Sequence, residues 1–362
     1  MMNTILILGG YGTTGRLLTK HLLTQTDYSI VIAGRNLETA QTFVDSLHDL
    51  RVSARQVDAA DPTSLREALQ NVDFLLVAAP TTHHTETVVC AALEAGVDYL
   101  DVQYSDLKLK SLREHEREID QRKLCFVTEA GYHPGLPSAM VRFAAARLDC
   151  IESARIACYL NMGQLEYTEA VDELMEGFIH YQAQVYKDGA WTKPSSWAMR
   201  KFDFGEEIGI RSCYSMFFEE LRCIPEMYPT LKDIGFYISG SSLLADLILT
   251  PIIMVGLKIA PKRGIRPLGK LMWWAMGTSK PPYKVVLKVE ATGQRKGRPV
   301  RVEASIEHED GYELTAIPVA ALLKQYEHIR KPGLHMMGHL AEPVRLFSDM
   351  EQMGVRVKTS VR

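Results

Sequence analysis

The residues best suited to chemistry lie near the amino terminus: Gly10, Tyr11, Gly12, Thr13, Thr14 and Gly15 form a G-x-G-x-x-G run directly after the apolar segment Ile5-Leu6-Ile7-Leu8. The run alone is a weak signal; a strand before it and a helix after it strengthen it. In that setting Gly10 makes the tight turn and Gly12 lets the backbone approach a pyrophosphate. Gly15 lets the helix pack closely on the strand, and the helix's free N–H groups and dipole favour the anion. An acidic residue about twenty positions on would bind a ribose 2′-hydroxyl. The second apolar segment ends instead in Ala33-Gly34-Arg35-Asn36. A guanidinium there suits a 2′-phosphate and offers a stacking surface to adenine, although a solvated arginine at a helix start is the plainer reading. Asp58 is placed for the adenine edge or for the Asp58–Asp61 turn, and Ala78-Ala79-Pro80 puts small residues where backbone must pass ribose and nicotinamide.

Other candidates are weaker. His133, before Pro134-Gly135, could exchange the proton that accompanies a hydride, because an imidazole titrates near neutrality. A loop histidine satisfied by hydrogen bonds is the competing reading. Tyr104/Lys108 and Tyr228/Lys232 have Tyr-x-x-x-Lys spacing, which among 15 tyrosines arises by chance. Of these, Tyr104, shortly after Tyr99-Leu100-Asp101, is kept as a site residue. His83 and His84 read as solvated or capping groups. His335 and His339 are four apart but lack the intervening glutamate, so no metal is expected.

Several elements must position these residues. Ile5–Leu8, Ile30–Ala33, Phe74–Val77 and Cys125–Val127 are nearly continuous apolar runs, as in strands buried on both faces of a parallel sheet. Helical segments lie between them, one opened by Asp61-Pro62-Thr63. The alternation predicts an open, doubly wound α/β sheet. The pattern changes near Leu148–Glu152. Beyond it the sequence predicts a helix over Glu169–Gln182, a hairpin turn at Asp188-Gly189, and three antiparallel strands at Val285–Val289, Val300–Ile306 and Tyr312–Ala316.

Composition narrows the class. Over 362 residues, 46% are hydrophobic and 23% charged, the balance of a water-soluble globular chain of about two domains. A formal charge of -3 offers no basic footprint for nucleic acid. Six cysteines without a C-x-x-C pair favour reduced thiols, and with no signal-peptide pattern a cytoplasmic protein is expected. Leu243–Ala260 is apolar but interrupted by Asp246, Pro251 and Lys258; with Lys262, Arg263, Arg266, Lys270, Trp273 and Trp274 after it, residues 243–274 could touch a membrane without spanning it.

In this order, the GGYGTTG loop, Ala33-Gly34-Arg35, Pro80, Ala92–Asp101 and Gly131-Tyr132-His133-Pro134-Gly135 resemble the saccharopine dehydrogenase family over residues 3 to 145. The resemblance implies a Rossmann domain over 1–130, completed by 318–362, and a mixed α+β substrate-binding and dimerisation domain over 131–317. It implies an oxidoreductase that uses NADP(H), less readily NAD(H), to reduce an imine, and a homodimer. Saccharopine-forming members carry Asp before this Pro-Gly and Asp-His shortly after it. Here His133 and Pro137-Ser138 stand there, so the resemblance carries fold and cofactor but not the saccharopine substrate. Reduction of an imine or another conjugated double bond, possible on a lipid-like substrate, is the expected activity. A non-catalytic NADP(H) sensor and a membrane-associated lipid reductase are the alternatives.

Overall fold

The computed structural model describes residues 2–163, 167, 169–179, 181–195, 199–239, 249–261 and 263–362. The chain divides into two units, Met1–Gly135 with Thr315–Glu342, and Leu136–Leu314 with Pro343–Arg362.

In the first unit, strands β1 (Thr4–Leu8), β2 (Ser29–Gly34), β3 (Val52–Gln56), β4 (Phe74–Val77), β5 (Asp98–Asp101) and β6 (Cys125–Thr128) alternate with α1 (Thr13–Gln25), α2 (Leu37–Leu47), α3 (Pro62–Ala68), α4 (Thr85–Ala95), α5 (Asp106–Glu114) and α6 (Glu116–Gln121). The strands form a parallel sheet in the order β3-β2-β1-β4-β5-β6. This is the doubly wound order, with its topological switch between β1 and β4. Ile5–Ile7, Ile30, Ile32 and Phe74–Val77 are fully buried, which is why these runs carry no polar alternation. Asn36 and Asp61 cap α2 and α3 by accepting from Thr39 N and Thr63 N at 3.0 and 2.9 Å.

The second unit contains α7 (Leu136–Ala145), β7 (Cys150–Asn161), α8 (Glu169–Ile179), β8 (Val185–Lys187), β9 (Ala190–Thr192), β10 (Met199–Asp203), β11 (Ile210–Met216), α9 (Ile224–Met227), β12 (Asp233–Ser239), α10 (Thr250–Ile259), α11 (Ile265–Gly277), β13 (Lys284–Arg295) and β14 (Arg298–His308). α12 (Gly311–Ile329) leads back to the first unit, where β15 (Gly333–Met336) pairs parallel with β6 and α13 (Met337–Leu340) follows; α14 (Pro343–Gln352) and β16 (Arg356–Val361) belong to the second unit. The second sheet is mixed, in the order β10-β11-β12-β7-β13-β14-β16. The hairpin at Asp188-Gly189 forms as expected, both residues having positive φ.

Three expectations change. Tyr312–Ala316 is not a strand but the start of α12: the Asp310 carboxylate accepts from Tyr312 N and Glu313 N at 2.7 and 3.2 Å, so Asp310-Gly311 opens a helix instead of closing a hairpin. The third strand beside the β13–β14 hairpin is β16, paired with β14 from Val302↔Val361 to Glu307↔Arg356. That pairing takes 343–362 into the second unit, so of 318–362 only the part to Glu342 lies with the first. The attachment of α12 is explicit: Asp98 on β5 accepts from Tyr326 Oη at 2.7 Å and from Arg330 Nε at 2.6 Å.

Part of the apolar stretch, residues 243–248, lies outside the described residues, as does Lys262. Among the described residues no helix is long and apolar enough to cross a membrane. α10 does expose Ile252, Val255 and Ile259.

Candidate functional site

The glycine run occupies the turn from β1 into α1. Gly9 has φ +84°, and a Cβ on it would lie 2.7 Å from the Ala79 Cβ, so glycine is required by both conformation and contact. A Cβ on Gly15 would meet Gly9 O at 2.2 Å, the close helix-on-strand packing expected of that position. Among the described residues a Cβ on Gly12 would meet only Gly9 O, at 3.2 Å, so the space in front of Gly12 is otherwise open to them. Thr13 and Thr14 begin α1, which has neither a side-chain cap nor an acidic residue in its first turn. A helix end in that state presents N–H groups and positive potential to an anion.

Tyr11 is folded back over the end of β2: its ring lies against Gly34, and its hydroxyl accepts from Asn36 N at 3.1 Å. Gly34 must therefore lack a side chain, a packing reason that the sequence reading missed. Arg16 donates to Tyr11 O at 2.7 Å and stacks on Phe43, fixing the loop from below. Arg35 is exposed, its carbonyl accepting from Gln56 Nε2 at 3.1 Å. Asn36 serves as the cap of α2. Asp58 is exposed, and its Oδ1 accepts from Ala60 N at 3.0 Å, which places it in the local turn. Ala79 sits against Gly9, and Pro80 is exposed beside it.

The carboxyl ends of the strands continue as one row. Ala78 N bonds Leu8 O at 2.8 Å, Val102 N bonds Val77 O at 3.2 Å, and Ala130 N bonds Asp101 O at 2.9 Å. Tyr104 and His133 follow on the loops after β5 and β6. From β2 to β6 the row covers four strand spacings of about 4.8 Å, roughly 19 Å. In the loop after β6, Gly135 has φ +120°, and a Cβ there would strike Gly131 O at 2.5 Å. His133 stacks on Tyr132 with ring centroids 3.9 Å apart. Burial pushes its imidazole down to about 4, so the ring is neutral at pH 7.

Two charged groups that the sequence reading left aside lie under this edge. Asp101 and Lys108 are buried to 0% and 1% exposure and paired at 2.9 Å. The same carboxylate accepts from Thr128 Oγ1 at 2.8 Å and from Gln103 N at 3.2 Å, which ties the loop carrying Tyr104 to β6. Lys108 is thus held by Asp101, in place of the role that Tyr-x-x-x-Lys spacing would suggest. The sequence signals were an aspartate at the end of the short strand Asp98–Asp101 and the Tyr104/Lys108 spacing. Ser138, at the position that departs from the family pattern, is in the second unit, donating through N and Oγ to the buried carboxylate of Glu220. His335 bonds the Lys331 carbonyl at 2.9 Å, and all six cysteines are free thiols.

Residues 5–125 match the saccharopine dehydrogenase NADP binding domain. Carboxyaminopropylagmatine dehydrogenase from Synechocystis sp. is 23% identical over 250 residues, which are 66% of this chain and 63% of that protein. The structure of apo saccharopine dehydrogenase (L-Glu forming) from Saccharomyces cerevisiae superposes with a TM-score of 0.71 at 14% identity, covering 99% of this chain and 100% of that one. Residues 5–125 thus match an NADP-binding domain of the saccharopine dehydrogenase type, and the fold of the chain is similar to that of saccharopine dehydrogenase. The match to the curated relative spans less than two thirds of that relative's length.

Proposed function

We propose that the protein is an NADP(H)-dependent oxidoreductase that reduces a carbon–nitrogen double bond, with a small-molecule substrate. The observation that carries this reading is the open space before Gly12, at the uncapped start of α1, in line with Arg35 on one side and with Tyr104 and His133 on the other. Gly10 through Gly15 would hold the pyrophosphate and Arg35 the 2′-phosphate. Ala79 and Pro80 would pass the ribose and nicotinamide. Asn36 and Asp58 would contribute from the adenosine end through backbone position, since their side chains serve a cap and a turn. When bound, the dinucleotide supplies the hydride.

The hydride goes to the imine carbon, and the proton on nitrogen either arrives with the iminium or comes from a donor, to give the amine. A conjugated alkene would demand a stronger acid, because its reduction leaves a carbanion-like centre. His133, neutral at pH 7, is poorly matched to that demand. It suits hydrogen bonding to a substrate that is already cationic, which an imidazolium would repel. Tyr104, on the loop after β5, is the candidate hydroxyl donor. The relatives are named for carboxyaminopropylagmatine and saccharopine, both amines, which favours the imine over the alkene.

The test is NADPH oxidation by the purified protein with imines formed in place from amines and keto acids, against conjugated enones as the competing class. Imine-dependent oxidation supports the assignment, and His133→Asn, which keeps a neutral hydrogen-bonding side chain, should lower it by less than the roughly 10²–10⁴-fold of a lost general acid, with NADPH affinity unchanged. Enone turnover alone, or no turnover with tightly bound NADPH, overturns it.

A further inference from the structure

Helix α4 and the corner between α5 and α6 bring together three side chains that the proposed reaction does not use. Glu86 and Cys90 are four residues apart on α4, and His115 stands at the junction of α5 and α6. Each offers one ligand atom, and these atoms all lie within 4.8 Å of one another. Glu86 Oε1 is 2.8 Å from His115 Nε2 and 3.5 Å from the Cys90 Sγ that donates to it.

We propose that Glu86, Cys90 and His115 form a binding site for a thiophilic divalent cation of the zinc type, with solvent at the fourth position. Sulfur, imidazole nitrogen and a carboxylate oxygen are the donors zinc takes, whereas magnesium and calcium demand oxygen throughout. Tetrahedral bonds of about 2.0–2.1 Å to nitrogen and oxygen place those two atoms roughly 3.3 Å apart. Glu86 and His115 therefore need to part by only about half an ångström from their hydrogen-bonded distance. Glu86 is exposed and can make that adjustment at little cost.

The surroundings supply the support that metal ligands usually have. Ser111 Oγ donates to Glu86 Oε2 at 2.9 Å, leaving Oε1 for the ion. Glu118 Oε2 lies 3.8 Å from His115 Nδ1, while Arg122 holds the other Glu118 oxygen at 2.8 Å. Once Nε2 binds a cation, the ring proton must sit on Nδ1, facing Glu118, which is the carboxylate–histidine–metal arrangement. A cluster built only for hydrogen bonding would not require that second carboxylate. The ion would clamp α4 to the α5–α6 corner in place of the shared proton and the thiol proton.

The experiment uses the full-length protein, stripped with chelator under reducing conditions and titrated with Co²⁺, then with Zn²⁺. One Co²⁺ should bind with tetrahedral visible bands and a sulfur-to-cobalt charge-transfer band, and Zn²⁺ should displace it. Cys90→Ser should abolish the charge-transfer band and weaken Zn²⁺ binding at least tenfold. Glu118→Gln should weaken Zn²⁺ binding about 10- to 100-fold while keeping the band. NADPH affinity, unchanged in both variants, reports that the unit is folded. A wild-type spectrum without a sulfur band, an octahedral spectrum, or a band that survives Cys90→Ser would each overturn the proposal.

Discussion

Ala79 lies so close to Gly9 that a Cβ on the glycine would sit 2.7 Å from the alanine Cβ. The ends of β1 and β4, neighbours at the switch point of the sheet, thus form a single surface with no side chain rising between them. A backbone turn bare of side chains is what a bulky anion needs in order to approach peptide N–H groups.

Gly12 and Gly15 should separate binding from folding. Gly12→Val is expected to abolish NADPH binding and leave the circular dichroism spectrum and thermal midpoint near wild type, because only Gly9 O lies close to the added carbon. Gly15→Ala is expected to cost on the order of 1–3 kcal/mol by denaturant unfolding, since its Cβ would press on Gly9 O and Gly10 Cα. Near-normal NADPH affinity in Gly12→Val would place the phosphate elsewhere.

Arg35 should set the choice of dinucleotide. Its exposed guanidinium at the end of β2 is available to a 2′-phosphate, and a charge-assisted contact contributes about 1.5–3 kcal/mol, roughly ten- to a hundredfold in affinity. Calorimetry should find NADPH bound more tightly than NADH, with the preference lost in Arg35→Ala. Equal wild-type affinities would exclude this role.

His133 should make stability depend on pH in a definite direction. Its folded pKa of about 4 lies below the 6.5 of an unfolded histidine, so between those values the unfolded chain binds the extra proton. The contribution is intact above pH 6.5, begins to be lost as pH falls through 6.5, and is fully lost below pH 4. From pH 7 to 5 the loss is about 2 kcal/mol. Urea unfolding of wild type and His133→Asn over that range should show the wild type losing this much more than the variant. Parallel losses would show that the imidazole is not held neutral.

The Asp101–Lys108 pair should behave as a buried unit. Lys108→Met leaves a buried carboxylate without its cation and is expected to cost about 3–5 kcal/mol. Adding Asp101→Asn should recover a substantial part of that loss. A double variant whose loss equals the sum of the two single losses would mean that the two side chains do not act on one another.

Local chemistry alone made much of the first unit legible. Nearly uninterrupted apolar runs identified β1, β2, β4 and β6 of the parallel sheet, and Asp61-Pro62 marked a helix start because a cap acts within three residues. The glycine run and Arg35 could be placed on the edge of the sheet because the β1–α1–β2 connection leaves few topologies open. Tyr312–Ala316 misled because Tyr, Leu and Ala alternate there, while the capping carboxylate of Asp310 selects the helix. The pairing of Asp98 with Arg330, 232 positions away, and of Glu86 with His115, across two helices, left no periodic trace. Whether His133 is neutral, which strand lies beside β14, and what Lys108 pairs with are decided by desolvation and by contacts far apart in the chain. Neighbouring residues dictate backbone conformation through short-range sterics and caps, whereas a proton's affinity and a strand's partner depend on what the completed fold packs against them.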